Sequence, residues 1–313
     1  MINVRSYHGG DETAVIELWN ATITHDRINE SVFRTRVLLD ANFHPDGLMV
    51  AEEGGALVGF VLSIARRVPL LLQGLDPDLG WITAFGTHPR HRRRGIGRQL
   101  FDAALARLGV MGRKHVLISP YTPNYFVPGV DVDAYRDATA FLQATGWTIE
   151  AQTVSMHGEL TGFQIPHDFL ELEQRLERED HIIVRPLQTA DLPAILPFIA
   201  QHFGWDWFRF AQEYLLELFG AGSDEICLIV AMQGDRVVGY CQQKRERFGP
   251  IGVAEEARRK GVARLLVSRC LSVMLAKGFH CAWFLGTSKD TARIFSLMGF
   301  KQVRQFAVMK REL

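Results

Sequence analysis

The stretch HPRHRRRGIGRQLFDAALARL, residues 88–108, sets a run of arginines against two glycines and then passes into an amphipathic helical pattern. A helix N-terminus carries unpaired N–H groups and the positive end of the helix dipole. Glycines that let the backbone approach closely, flanked by arginines, suit such an end to a bound phosphate. The same residues also describe a solvated basic helix start, and the stretch by itself leaves both readings open.

The rest of the chain confines that basic character to the turn. Its 35 Lys and Arg balance 35 Asp and Glu, so no long-range field draws it to nucleic acid or to an anionic membrane. The opening MINVRSYHGGDETAVIELW has no basic segment leading a long apolar run, and no stretch is apolar over the ~18 residues of a membrane span, so a cytoplasmic location is expected. Cys227, Cys241, Cys270 and Cys281 show neither disulfide-framework nor zinc spacing and are expected as buried small hydrophobes. His25, His44 and His202 lack ligand spacing, and no metal is expected.

The chain repeats itself. IxVRxYxxxD from Ile2 to Asp11 returns as IxVRxLxxxD from Ile182, with Arg5 answered by Arg185 and Asp11 by Asp191, both 180 residues on. ALVGF around Gly59 returns as VVGY around Gly239 at the same offset, RRRGIGRQL returns as RRKGVARLL at an offset of 166, and TGW returns as MGF at 153. Landmarks keep their order while loops change length, which describes two copies of one domain rather than a solenoid. Each copy reads as an opening strand, a helical segment, a hairpin turned at EGG or QGD, and a buried strand (WITAFG or FGPIGV). The glycine turn with its long helix, a strand, a short helix ending at Gly146 or Gly299, and a last strand complete it. An α/β layered fold follows, in two domains over 1–160 and 181–313, joined by a charged linker helix within 161–180.

At the turns the sequence resembles the GNAT (GCN5-related) N-acetyltransferases, whose hallmark is Q/R-x-x-G-x-G/A at a helix start. Arg92, Gly95 and Gly97 carry it in the first copy, and Arg258, Gly261 and Ala263 in the second. The resemblance implies two tandem GNAT-like domains, each a mixed, mostly antiparallel sheet flanked by helices, with acetyl-CoA as co-substrate. It implies that the main chain of Arg92, Arg93, Arg94, Gly95, Ile96, Gly97 and Arg98 wraps the diphosphate. In the second copy Arg258, Arg259, Lys260, Gly261, Val262, Ala263 and Arg264 take that part. The strands before the turns, through Phe85 and Thr87 or Ile251 and Val253, would pair with the pantetheine arm.

One expected group is missing. The resemblance places a proton-donating tyrosine four residues before the glycine that ends the last helix, and Leu142 and Phe295 stand there. An insertion peculiar to the first copy, PYTPNYFVPGVDVDAYRD, offers Tyr121, Tyr125 or Tyr135 as the acid and Asp131 or Asp133 to attract an ammonium group. In the second copy HFGWDWFRF from His202 either shapes an acceptor pocket with Asp206 or docks a helix on the core. The expectation is direct acetyl transfer to a small amine in a ternary complex, by one or both copies. The alternatives are an acyl-CoA-binding regulatory or scaffolding protein and, against the charge balance, a nucleic-acid binder.

Overall fold

A computed structural model describes residues 1–70, 74–165 and 167–313. In chain order the first repeat runs β1 (Asn3–Ser6), α1 (Glu12–Thr22), the short α2 (Glu30–Phe33), β2 (Leu48–Glu53), β3 (Ala56–Ile64) and β4 (Leu79–Thr87). It continues through α3 (Ile96–Val110), β5 (His115–Ile118), β6 (Val130–Asp131), α4 (Arg136–Ala144) and β7 (Thr148–Glu159). The second runs α5 (His167–Asp180), β8 (Ile182–Pro186), α6 (Leu192–His202), α7 (Trp205–Leu216), β9 (Ile226–Gln233), β10 (Arg236–Lys244) and β11 (Arg247–Val253). After these come α8 (Val262–Ala276), β12 (Cys281–Thr287), α9 (Lys289–Ser296) and β13 (Lys301–Glu312).

The chain divides into two compact units, Met1–Thr153 with Arg304–Leu313, and Val154–Val303. This differs from the division at residues 160 and 181 expected above, because each unit takes its last strand from the other repeat. In the N-terminal unit the sheet order is β1-β2-β3-β4-β5-β13, with β13 antiparallel to β5 from Met309 to Glu312 and to β6 at Phe306 and Ala307. In the C-terminal unit the second half of β7 pairs β12 from Val154 to Glu159, and the order continues β12-β11-β10-β9-β8. Helix α5 belongs to that unit; Pro166, inside the expected linker, lies outside the described residues.

Each sheet is antiparallel except for one neighbouring pair, β4 with β5 and β11 with β12. Alternation along the strands explains two helical layers: Ile226, Leu228, Val230 and Met232 of β9 face the core under α6 and α7, while Cys227, Ile229 and Ala231 face that under α8. The repeated Arg and Asp have a shared purpose. Arg5 holds Asp11 through two bonds of 2.7 and 2.9 Å, and Arg185 holds Asp191 at 2.6 and 2.9 Å, tying the end of the first strand to the start of the first helix. Cys227, Cys241 and Cys270 are buried and free, whereas Cys281 is only half-buried. No helix of the described residues is long and apolar enough to cross a membrane.

Candidate active site

In the N-terminal unit Arg93 (φ 62°) and Gly95 (φ 80°) are left-handed, and α3 starts at Ile96. Alternating left-handed residues curl the amides between them toward one concavity, the backbone form of an anion nest. The first helical bond runs from Gln99 N–H to the Gly95 carbonyl at 3.1 Å, so the N–H groups of Ile96, Gly97 and Arg98 have no intrahelical acceptor. A Cβ on Gly97 would meet only Thr87 Oγ1 at 3.7 Å and the Phe141 ring at 3.8 Å, leaving the concavity open. These features fit a diphosphate.

The arginines around the nest differ in what they do. Arg92 Nε donates to the Thr87 carbonyl at 3.3 Å and so clips the turn to the end of β4. Arg94 grips Glu53 with bonds of 2.7 and 2.8 Å, and His91 adds a contact at 3.0 Å, so that Arg94 first and His91 second hold the Glu53 carboxyl down at about 2. Arg93 and Arg98 are exposed and form no ion pair among the described residues.

Beside the nest, β4 pairs β3 from Trp81 to Thr87 but β5 only from Leu79 to Ile82, so among the described residues the edge from Thr83 to Thr87 has no strand on that side. An extended arm could pair there as an added strand. Phe85 is half-buried, its ring packed edge-on against Phe101 at 5.0 Å. Thr22, at the end of α1, sits on Gly86, where the missing side chain permits the approach.

The second turn copies the first in backbone and departs in surroundings. Arg258 Nε reaches the Val253 carbonyl at 3.1 Å, Arg259 and Gly261 are left-handed (φ 62° and 97°), and Leu265 N–H bonds the Gly261 carbonyl at 3.2 Å. Here, however, α5 lies on the turn. A Cβ on Gly261 would stand 2.8 Å from Leu172, and Arg175 donates to the Lys260 carbonyl at 2.6 Å. Lys260 pairs with Asp180 at 2.6 Å, Arg264 with Asp168 at 3.0 Å, and Arg269 with Glu173. A cleft of about 560 Å³ remains, lined by Leu172, Arg175, Ile294 and the turn itself, including Val262 and Ala263. On the strand, Val253 is buried, Ile251 packs on the core, and the Phe203 ring covers Gly252 where Thr22 covers Gly86 in the other unit.

The three tyrosines part company. Tyr121 is 1% exposed, donates to Asp40 at 2.9 Å and accepts from Asn42 at 3.1 Å; burial first, and Asp40 second, push its hydroxyl well above the usual phenol range. It is a core residue, which corrects its candidacy as an acid facing a ligand. Tyr125 is half-buried, with its carbonyl 3.5 Å from Arg36 Nη1. Tyr135, just before α4, accepts from the His25 amide at 3.1 Å and lies 3.5 Å from Asp26 Oδ2. It packs on the cluster that also receives Phe85 and Phe141.

Asp131 is likewise not open to an ammonium group. It is 3% exposed, and Arg304 Nε at 2.6 Å and the amides of Asp133 and Ala134 at 3.1 and 3.0 Å engage its carboxylate. Asp133 stays exposed, 3.7 Å from Arg136. Leu142 is buried and Phe295 lies among Phe248, Phe284 and Phe300, so neither α4 nor α9 presents a hydroxyl at the expected place. Asp206 is bound by Arg209 at 2.9 Å, and Phe203 and Trp207 stack at 5.0 Å over Tyr240, the helix-docking arrangement. Asp26 and Arg304 had no part in the sequence reading, and nothing local in the sequence marks them.

The chain belongs to the GNAT acetyltransferase family, whose model, described as acetyltransferase (GNAT) family, matches it twice, at residues 13–124 and 193–300. A mycothiol acetyltransferase from Thermobispora bispora is 36% identical over 76 residues, 24% of this chain and 25% of that protein; the chain thus matches about a quarter of that curated relative's length. Among solved structures, the GCN5-related N-acetyltransferase from Sphaerobacter thermophilus superposes with a TM-score of 0.70 at 16% identity, covering 99% of this chain and 95% of that one. A tandem GNAT protein from the clavulanic acid biosynthesis pathway gives 0.62 at 16% identity over 100% and 98%. A glucosamine N-acetyltransferase region of a fungal multi-domain protein gives 0.78 at 19% identity, over 99% of this chain and 38% of that one. The solved structures share the fold.

Proposed function

We propose that this chain is a cytoplasmic acetyl-CoA-dependent N-acetyltransferase that transfers the acetyl group directly to a small amine, with the N-terminal unit as its working centre. The observation that carries the assignment to that unit is the contrast between Gly95, which no other element covers among the described residues, with Arg98 exposed and outside any ion pair, and Gly261, which lies under Leu172 of α5 with Arg264 held by Asp168. In this reading the amides at the start of α3 hold the diphosphate, and the unpaired edge of β4 holds the arm and donates a main-chain N–H to the thioester oxygen. A donor aimed at an oxygen that becomes negative during attack supplies transition-state stabilisation of about 3 kcal/mol. Direct transfer fits because among the four cysteines three are buried, with burial pushing the Cys227 thiol up to about 12, and none stands beside a base in a nucleophile setting.

A second reading, a non-catalytic acyl-CoA-binding module, draws on the absent hydroxyl of α4, where Leu142 is buried. One experiment separates them: calorimetry with CoA, followed by thiol release from acetyl-CoA against a panel containing glucosamine, cysteine, spermidine and tryptamine. Uptake of CoA with thiol release for one amine supports the transferase. Uptake with none above the amine-free rate supports the module, and no uptake overturns both.

A further inference from the structure

The last strand of the chain places one side chain in the N-terminal unit that no neighbouring sequence could supply. Arg304 Nη1 and Nη2 donate to the two oxygens of Asp26 at 2.6 and 2.7 Å, and its Nε donates to Asp131 at 2.6 Å. These partners lie 278 and 173 residues away. Burial works against the Arg304 cation, yet the hydrogen bonds to Asp26 and Asp131 outweigh it and hold its pKa above the ordinary arginine value.

Both loops joined by this clamp lead to Tyr135. The Asp26 loop contributes the His25 amide that donates to the Tyr135 hydroxyl at 3.1 Å, with the His25 ring edge-on at 5.8 Å. Asp131, through the amides of Asp133 and Ala134 and its own carbonyl, which accepts from Tyr135 N–H at 3.0 Å, shapes the turn that carries Tyr135 into α4. The same two segments reach the neighbourhood of the nest: the Asp26 loop leaves α1 just after Thr22, which rests on Gly86 of β4, and α4 brings Phe141 to Gly97 at the start of α3. Removal of the guanidinium would leave Asp26 and Asp131 facing one another without a counter-charge, so both loops would shift and carry the phenol with them.

We propose that Arg304 is a positioning residue of the N-terminal centre, fixing the Tyr135 hydroxyl beside the open end of β4, where it hands a proton to the departing thiolate. In that step the amine nitrogen bonds the thioester carbonyl carbon, the C–S bond breaks with its electron pair on sulfur, and the phenol proton passes to sulfur. Proton loss from the nitrogen to solvent completes the balance, and a further solvent proton restores the phenol. The proposal rests on the transferase reading above.

The test uses full-length chains carrying Arg304→Gln, Arg304→Lys, Tyr135→Phe and the double change Arg304→Gln/Tyr135→Phe. Acetyl-CoA hydrolysis, with water as the probe acceptor, is followed by thiol release, and CoA binding is measured by calorimetry. Arg304→Gln should lower kcat at least about tenfold, leaving the CoA Kd within twofold, and Arg304→Lys should recover part of the loss. The double variant should be no slower than Tyr135→Phe alone, because the clamp acts through that hydroxyl. Multiplying losses in the double variant, an unchanged kcat in Arg304→Gln, or thiol release in wild type no faster than in buffer would overturn the proposal. A wild type that takes up no CoA would instead defeat the transferase reading, and the calorimetry identifies that case separately.

Discussion

Two turns with the same backbone stand in different surroundings. Arg92 and Arg258 clip their turns to the preceding strand at 3.3 and 3.1 Å, and the left-handed pairs Arg93 with Gly95 and Arg259 with Gly261 share their angles within 17°. What separates them among the described residues is α5, which lies on the second turn. Its Leu172, Arg175, Asp168 and Asp180 occupy a face of the second turn that in the first stays open to solvent. Both turns keep the cradle, and α5 covers part of the second, where the cleft of about 560 Å³ remains beside Val262 and Ala263.

The largest expected effect breaks the comparison at its centre. Gly97→Asp puts a carboxylate where the first nest faces a diphosphate, at a helix start that tolerates the added charge well. CoA affinity by calorimetry should fall at least about a hundredfold, since a like charge replaces close main-chain contact. The matching Ala263→Asp, at the same place in the second turn, should leave both affinity and a stoichiometry of one CoA per chain unchanged. Equal losses in the two variants would show that α5 does not decide accessibility.

A smaller effect is expected from loosening the strap. Leu172→Ala with Asp180→Asn removes the side chain over Gly261 and the partner of Lys260, which is held at 2.6 Å. The stoichiometry of CoA uptake should rise from one toward two, the added site being about tenfold weaker because Arg175, Arg264 and Phe203 stay in place. A stoichiometry that stays at one, with the fold intact by circular dichroism, would assign the closure of the second turn to something other than α5.

The comparison also shows which parts of the molecule sequence reading reaches. Hydrophobic alternation, the EGG and QGD hairpins and the glycine turns announced nearly every element, because each is set by residues within a few positions of one another. The repeat itself was legible for the same reason, and the structure supplies its cause in the Arg5–Asp11 and Arg185–Asp191 clamps. The exchange of last strands was not legible: β7 and β13 read as ordinary final strands, and nothing in either tells which sheet it joins. Arg304 therefore carried no signal, since its partners are fixed by that exchange. Tyr121 misled for a related reason, as an aromatic in a proline-rich loop looks exposed until Asp40 and Asn42, some 80 residues earlier, are seen to satisfy its hydroxyl. The covering of the second turn was hidden in plain composition: α5 reads only as a charged linker helix, and packing turns Asp168, Glu173 and Asp180 toward Arg264, Arg269 and Lys260.

The smallest effect concerns how each turn restrains its third basic residue. Lys260 is held by Asp180 from α5, and Gln233, the counterpart of Glu53, bonds the Asp180 carbonyl at 2.8 Å. In the N-terminal unit Glu53 itself holds Arg94, from the hairpin beside the turn, with its carboxyl depressed from 4.5 to about 2, by Arg94 first and then His91. A carboxyl lowered on folding contributes above its unfolded value and loses the contribution as pH falls through the folded one. The Glu53–Arg94 grip is therefore complete above about 4.5 and is released only as pH falls toward 2, which leaves it intact across the neutral range. At pH 7 only mutation frees Arg94. Glu53→Gln should then tighten CoA about two- to fivefold at low salt, with the gain vanishing near 0.5 M salt where exposed charges are screened. Weaker binding in Glu53→Gln would mean that Glu53 shapes the nest by orienting Arg94 and His91 rather than competing with the diphosphate for the Arg94 guanidinium, and calorimetry at two salt concentrations distinguishes the two.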